Sequence, residues 1–206
     1  MITLYNLKQS RSQRIAWLLE VLNLPYDVKN FERDPVTKQA PKELQDIHPL
    51  GKSPLIKDNE TVIAESGAIV EYILARYGNG KLHPDVNHAD YSAYLQWLHY
   101  AEGSAMSAML TKYITPSEAM KPFYDAQFDL HISYIESSLN GKTWFLGEEL
   151  SGADIMMSFP LQFALLFVPK GKFPNIERFV AQVESNEYYR KACERVGELE
   201  LKKLLS

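Results

Sequence analysis

The run Leu50 to Ser66, LGKSPLIKDNETVIAES, limits the architecture of this chain more than any other stretch. Leu55 and Ile56 are apolar, Lys57 to Glu60 are polar, and Val62, Ile63 and Ala64 are apolar again, the pattern of two short strands joined by a polar turn. Pro54, ahead of the first strand, has no N–H and holds Ser53 extended. Glu65 and Ser66 stand where a helix begins. Ile69, Val70, Ile73, Leu74 and Tyr77 then recur at three- and four-residue spacing until Gly78-Asn79-Gly80.

Three features of this stretch suit one small peptide-like ligand. The proline leaves the Ser53 peptide groups as an edge that accepts an extended ligand as an extra strand. Ser66 lies at a helix N-terminus, where N–H groups and the helix dipole favour a carboxylate, and Glu65 beside it suits an ammonium group. Lys52 adds a positive charge on the near side of the proline. Each alone is an ordinary turn or cap. Together they suit an amino-acid head, a peptide middle and a second carboxylate, which is the shape of glutathione.

The chain around this stretch reads as two domains, for which 206 residues suffice. Residues 2 to 6 form a strand, and Ile15, Leu18, Leu19 and Leu22 mark a helix from Ser12 to Asn23, ended by Leu24-Pro25. Tyr26 to Phe31 is a second strand, and a strand-helix-strand crossover implies parallel pairing. Glu32 to Lys38 is a solvated loop, and a short helix spans Pro41 to Ile47. The first unit is β-α-β-α-β-β-α over residues 1–78, with a Gly- and Pro-containing linker over 79–87.

Residues 88–206 read as an all-α helical bundle. One long helix is expected from His88 to Ile114, and a second, opened by Pro116, carries Phe123, Phe128, Ile132 and Ile135 to near Gly141. In Leu150-Ser151-Gly152-Ala153-Asp154-Ile155, Ser151 and Asp154 have capping-box spacing, and Leu150 and Ile155 occupy staple positions. Such a cap contributes about 1 kcal/mol. Ile155 to Phe167 is apolar nearly all round, as the buried central helix of a bundle is. Amphipathic helices follow from Asn175 and Glu187, and the Lys-rich end, Leu201 to Ser206, is expected to fray.

Composition excludes several classes of function. A net charge of -4, from 22 Lys and Arg against 26 Asp and Glu, offers no basic field for nucleic acid or an anionic membrane. Cys193 is the single cysteine, so there is neither an intramolecular disulfide nor a cysteine-based metal site, and thiol chemistry must use a borrowed thiol. In a late helix Cys193 itself reads as a small core residue. The N-terminus lacks the form of a signal peptide and no run is long enough to span a membrane, so the expectation is a cytoplasmic protein.

HPLGKSPLI with ES after it, and the LSGADI box downstream, resemble the cytosolic-type glutathione transferase family over nearly the whole chain, in its bacterial- or fungal-like, serine-type form. The resemblance implies a thioredoxin-like α/β N-terminal domain followed by the helical domain. It further implies a cis Pro54, with Ser53 pairing through its backbone to the cysteinyl part of glutathione. Glu65 and Ser66 would bind the γ-glutamyl head and Lys52 would approach the glycyl carboxylate. Glu102 resembles a position that in some relatives reaches the γ-glutamyl amine across a dimer interface, whereas His99 and Arg14 read as structural.

Classes of this family differ at the thiol-activating position. The loop from Tyr5 to Arg14 is two residues too short for the tyrosine type, whereas Ser10, four residues before Arg14, falls where serine-type members place their serine; Ser12, Arg11 and Tyr5 remain alternatives. A free thiol has a pKa of about 8.5, so only a few per cent is the reactive thiolate at neutral pH. A hydrogen bond from Ser10 and the dipole of the helix starting near Ser12 would favour the thiolate. A pKa lowered by about two units corresponds to roughly 2.7 kcal/mol. Ser10-x-x-Gln13 also has capping-box spacing, and a cap site is already where an anion is favoured.

The electrophile is expected between the domains, against aromatic and flexible apolar side chains of the first helix after the linker: Tyr94, Trp97, Tyr100, Met106 and Tyr113. The function implied is glutathione conjugation of electrophilic, mostly apolar small molecules, a detoxifying reaction, with peroxide reduction as a side activity. Glutathione is the co-substrate, no metal takes part, and the form is a homodimer with neither nucleic-acid nor membrane partners. The alternative is a non-catalytic binding or regulatory protein on the same scaffold.

Overall fold

A computed structural model of the chain describes residues 1–114 and 117–202. Its first sheet-forming segment, β1 (Ile2–Leu7), is buried at every residue but Thr3, as a strand with partners on both edges must be. β2 (Tyr26–Phe31) pairs with it in parallel, with Asn6 opposite Asn30, and β3 (Leu55–Asp58) pairs on its other edge in antiparallel, with Tyr5 opposite Leu55. β4 (Thr61–Ala64) completes the order β2-β1-β3-β4. The hairpin turn is tighter than the composition of Lys57 to Glu60 implies. Lys57 and Asp58 stay in the ladder, and Asn59, with φ 53°, makes the reversal beside Glu60.

Alternation along β1 separates two environments. Tyr5 and Leu7 cluster with Leu44 and Leu55, flanked by Phe31, Ala40, Ile47 and Ala64, beneath the short α2 (Glu43–Ile47). Asn6 faces the other way, toward α1 (Ser12–Val21) and the C-terminal α9 (Glu187–Val196). α9 lies along α1. The Tyr189 ring meets Trp17 edge-on at 5.6 Å, Tyr189 Oη donates to Gln13 Oε1 at 2.9 Å, and Trp17 Nε1 donates to Asn186 Oδ1 at 3.2 Å. α3 (Ser66–Tyr77) follows β4 and stops at Gly78, as expected. By packing, residues 1–81 and the described residues from Glu184 onward form one compact unit, and Leu82–Val183 forms another.

The long helix expected from His88 to Ile114 is interrupted. Asp85 and His88 hold the backbone N–H groups of Asn87 and Asp90 through their side chains, at 2.9 and 3.2 Å, so the helix α4 begins only at Tyr91 and runs to Tyr100. Ala101–Met106 is then π-helical before α5 (Ser107–Ile114) resumes. The extra residue per turn lets both Ala105 and Met106 face the interior. The expectation that Pro116 opens the next helix lies outside the described residues, as does most of the Lys-rich end.

α6 (Lys121–Ser138) buries Phe128, Ile132 and Ile135. Phe123, expected on that face, is 55% exposed. Five residues from Phe128, it is rotated about 140° around the helix. α7 (Gly152–Ala164) is buried throughout and opens with the capping box. Asp154 Oδ2 accepts from the Ser151 N–H at 2.9 Å and from Ser151 Oγ at 2.6 Å, and Asp154 Oδ1 accepts from the Phe145 N–H at 2.7 Å. It ends three residues short of Phe167. α8 (Pro174–Ser185) and α9 are the expected terminal pair. Among the described residues no helix is long and apolar enough to cross a membrane.

Candidate functional site

The end of β1 joins two of the segments singled out by sequence. The Ser53–Pro54 peptide is cis. Ser53 Oγ donates to the Tyr5 carbonyl at 3.0 Å and accepts from the Leu7 N–H at 3.2 Å, whereas the β1–β3 register ends at the Tyr5–Leu55 pair. Ser53's own peptide groups thus lie beyond the last paired residue, with its side chain moored to the neighbouring strand. Pro54 is buried and Lys52 exposed.

On the other side of Leu7, its carbonyl faces Ser12 Oγ at 3.4 Å. Ser12 is fully buried and Ser10 nearly so, and their hydroxyl oxygens lie 2.8 Å apart. Ser12 Oγ donates to Asn6 Oδ1, and the Ser12 N–H donates to Ser10 Oγ at 3.2 Å. The box expected from Ser10 and Gln13 does not form, because both ends of the Gln13 carboxamide are taken by α9: Nε2 donates to Cys193 Sγ at 3.0 Å and Oε1 accepts from Tyr189. Asn6 was not among the sequence candidates. Its signal is a carboxamide in the otherwise apolar strand end LYNL, a position that needs buried partners.

The alternatives to Ser10 are distributed unequally. The Tyr5 ring belongs to the apolar cluster under α2, 6.5 Å from Phe31. Arg11 is half-buried at the start of α1 and near enough to Arg33 to help depress that guanidinium's pKa, although burial of Arg33 is the larger cause. Arg33 braces the loop by donating to the carbonyls of Lys8, Gln9 and Lys38 at 3.2, 3.1 and 3.0 Å. Arg14 is buried in α1. Cys193 is buried too, and burial pushes its thiol up to about 12, with Glu198 adding to the effect. It is a neutral core thiol at physiological pH.

Glu65 and Ser66 form the start of α3. Glu65 is exposed and held at φ 69°, ψ 121°, a conformation rare outside glycine, and its carbonyl accepts the first helical bond, from Ile69 N–H at 2.9 Å. No side chain caps this terminus and no acidic residue lies in its first turn. Its leading N–H groups thus have no side-chain cap, and Ser66, the first residue of the helix, is buried.

In the other unit, Tyr94, Trp97 and Met106 are buried, Tyr100 half-buried and Tyr113 42% exposed. Trp97 packs on Phe145, Tyr134 and Tyr100 at 4.4, 5.3 and 5.3 Å, and Tyr100 Oη pairs with His131 Nδ1 at 2.5 Å. Burial pushes the Tyr100 phenol up to about 12. Tyr94 lies by His83 and Tyr91, and Tyr113 by Phe163 and Phe167. The five side chains thus divide among three ring groups and the π-helical turn. Glu102 is half-buried in that turn and His99 is exposed. Among the described residues no three His, Cys, Asp or Glu side chains are grouped to hold a metal ion.

Residues 1–75 match the glutathione S-transferase N-terminal domain and residues 92–187 the glutathione S-transferase C-terminal domain. Glutathione S-transferase 3 of Schizosaccharomyces pombe is 31% identical over 95% of this chain and 88% of its own length. The crystal structure of a glutathione S-transferase from Actinobacillus pleuropneumoniae has a TM-score of 0.94 at 42% identity, covering 100% of this chain and 99% of that one. A glutathione transferase family member from Pseudomonas fluorescens, solved with two glutathiones bound, shares the fold with a TM-score of 0.79 at 22% identity, over 94% of this chain and 92% of that one.

Proposed function

Because the chain belongs to the glutathione S-transferase family, we propose that it ionises the thiol of glutathione and transfers the sulfur to electrophilic, mostly apolar small molecules. The thiolate forms the new S–C bond and either displaces a leaving group, which keeps its electron pair, or adds to an activated double bond, whose far carbon takes a proton. With a hydroperoxide, two glutathiones are oxidised to the disulfide and the peroxide becomes an alcohol and water.

The observation that carries this reading is the junction at Leu7, whose N–H meets Ser53 Oγ and whose carbonyl meets Ser12 Oγ. It couples a segment suited to an extended peptide with a hydroxyl-bearing helix start. In this reading Ser53, behind Pro54, pairs with the cysteinyl unit, Glu65 holds the γ-glutamyl ammonium and the α3 terminus at Ser66 takes its carboxylate. Lys52 faces the glycyl carboxylate. Ser10 donates to the sulfur, which makes this a serine-type, bacterial- or fungal-like member. Residues 1–78 carry glutathione, 79–87 link, and 88–206 supply the electrophile surface through Tyr94, Trp97, Tyr100, Met106 and Tyr113. The protein works as a cytoplasmic homodimer in which Glu102 reaches the partner's glutathione, and no metal takes part.

The deciding experiment is the ultraviolet thiolate absorbance of bound glutathione against pH, for the native protein and Ser10→Ala. A bound thiol titrating well below the free value of about 8.5, and moving back up in the variant, supports the reading. Binding with an unshifted thiol removes the catalytic role, and no binding removes the reading altogether. A second reading, a non-catalytic binding or regulatory protein, is favoured by the Ser10 hydroxyl already being paired with Ser12 at 2.8 Å. It predicts the unshifted thiol.

A further inference from the structure

Three side chains beside the proposed thiol site form a network whose protons can be counted. Asn6 Nδ2 donates to the Val196 carbonyl at 3.0 Å and to Asn30 Oδ1 at 2.7 Å. A backbone carbonyl only accepts, so Val196 determines which end of the Asn6 carboxamide is nitrogen. Oδ1 is therefore the end that faces Ser12 Oγ, and it accepts from it. The Leu7 carbonyl, 3.4 Å from the same hydroxyl, is also an acceptor only. Ser12 has one hydroxyl proton, and these acceptors claim it. The 2.8 Å contact between the two serine hydroxyls is consequently filled by the proton of Ser10. The reverse direction would leave Asn6 Oδ1, on a side chain 2% exposed, without its donor.

We propose that Ser12, locked by Asn6, is a positioning residue that holds the Ser10 hydroxyl proton in reserve, and that this proton turns from Ser12 Oγ to the glutathione sulfur as the thiol ionises. The inference rests on the reading of Ser10 given above. The thiol proton leaves to solvent, one O–H···O bond breaks and one O–H···S⁻ bond forms. The Ser12 hydroxyl keeps its own bond to Asn6 throughout, so only the Ser12 N–H, and never the hydroxyl, donates to Ser10. Ser12 Oγ and the sulfur compete for a single proton, and the network thereby sets how acidic the bound thiol becomes.

The test is the thiolate titration of bound glutathione in Ser12→Ala, Ser10→Ala and the double variant, with Ser12→Thr as the conservative control. Removing the Ser12 acceptor frees the Ser10 proton. Ser12→Ala is expected to raise the bound thiolate-to-thiol ratio about 3- to 10-fold at a given pH, the equivalent of one net hydrogen bond. Ser12→Thr should titrate like the native protein. In the Ser10→Ala background, Ser12→Ala should change nothing, which a merely structural role of Ser12 would not produce. A thiol left unmoved or made less acidic by Ser12→Ala, or the same shift in both backgrounds, overturns the proposal. A rise in thiol pKa for Ser10→Ala without the Ser12 effect defeats this inference alone, whereas an unshifted native thiol defeats the underlying reading. Should Ser12→Ala not fold, proton NMR of the native protein decides. Glutathione should shift the Ser10 hydroxyl resonance and leave that of Ser12 in place, and movement of the Ser12 proton instead overturns the proposal.

Discussion

Ser53 and Leu7 are joined by a hydrogen bond from the Leu7 N–H to Ser53 Oγ at 3.2 Å, while the same hydroxyl donates to the Tyr5 carbonyl at 3.0 Å. Ser53→Ala leaves a buried N–H without its acceptor. It should cost about 1–3 kcal/mol of stability and weaken glutathione roughly 3- to 10-fold. Urea unfolding and calorimetric titration give the two numbers. A variant as stable as the native protein would show that the hydroxyl does not brace the strand end.

Glu65 sits at φ 69°, a conformation that costs a non-glycine residue about 1–3 kcal/mol. Glu65→Gly should raise stability by about 1 kcal/mol, or 2–4 °C in Tm for a chain of this size, roughly, by the usual size scaling. It should weaken glutathione at the same time by removing the proposed ammonium partner. Glu65→Gln should weaken binding without the stability gain. A thermal scan beside a glutathione titration separates strain from charge.

Asp154 lies fully buried, and burial pushes its carboxyl up from 3.8 to about 6 despite the hydrogen bonds from Ser151 and the Phe145 N–H. The folded state binds this proton more tightly than the unfolded chain, so the contribution to stability is greatest below pH 4. It declines as pH rises through about 6 and is level above, a change on the order of 2–3 kcal/mol. Asp58, held below the usual carboxylate range chiefly by the Tyr77 hydroxyl, works with the opposite sign, but below about pH 4, where its protonation lowers stability. The measurement is therefore the stability difference between the native protein and Asp154→Asn. That difference should shrink between pH 4 and 6, and a flat profile would remove the assignment.

Trp97 and Tyr113 should respond oppositely to truncation. Trp97, ringed by Phe145, Tyr134 and Tyr100, is 5% exposed, and Trp97→Ala should cost about 3–5 kcal/mol. Tyr113 is 42% exposed. Tyr113→Ala should change stability by less than about 1 kcal/mol and raise KM for a hydrophobic electrophile if that ring lines its pocket. Steady-state kinetics with an apolar electrophile decide whether Tyr113 belongs to the substrate surface.

Local pattern made the sheet legible. The strand over residues 2 to 6, the hairpin after Pro54, the glycine stop of α3 and the Ser151–Asp154 box all act within a few residues and match the structure, although Lys57 and Asp58, polar enough to read as turn, belong to the β3–β4 ladder. The π-helical turn at Ala101–Met106 left no trace in composition, since its hydrogen-bond shift changes neither residue types nor polarity. Proximity in sequence points to Ser10 as the neighbour of Gln13. Its real partners, Cys193 and Tyr189, come from the far end of the chain. Asn6 is illegible in the sequence for the same reason, since it binds Asn30, Val196 and Ser12 across three elements.

The packing of α9 on α1 gives biosynthesis an order. Gln13 leaves the ribosome 180 residues before Cys193, its hydrogen-bond partner, a wait on the order of 10–40 s at ordinary elongation rates. During that interval the helices of the Leu82–Val183 unit emerge and can pack, while α1 still presents Trp17 and Gln13 without the surface that covers them. The unit made first is thus completed last. A nascent chain arrested before Glu187 would expose the α1 face beside Ser10 and Ser12 to chaperones, so premature termination late in the message damages the amino-terminal half of the molecule.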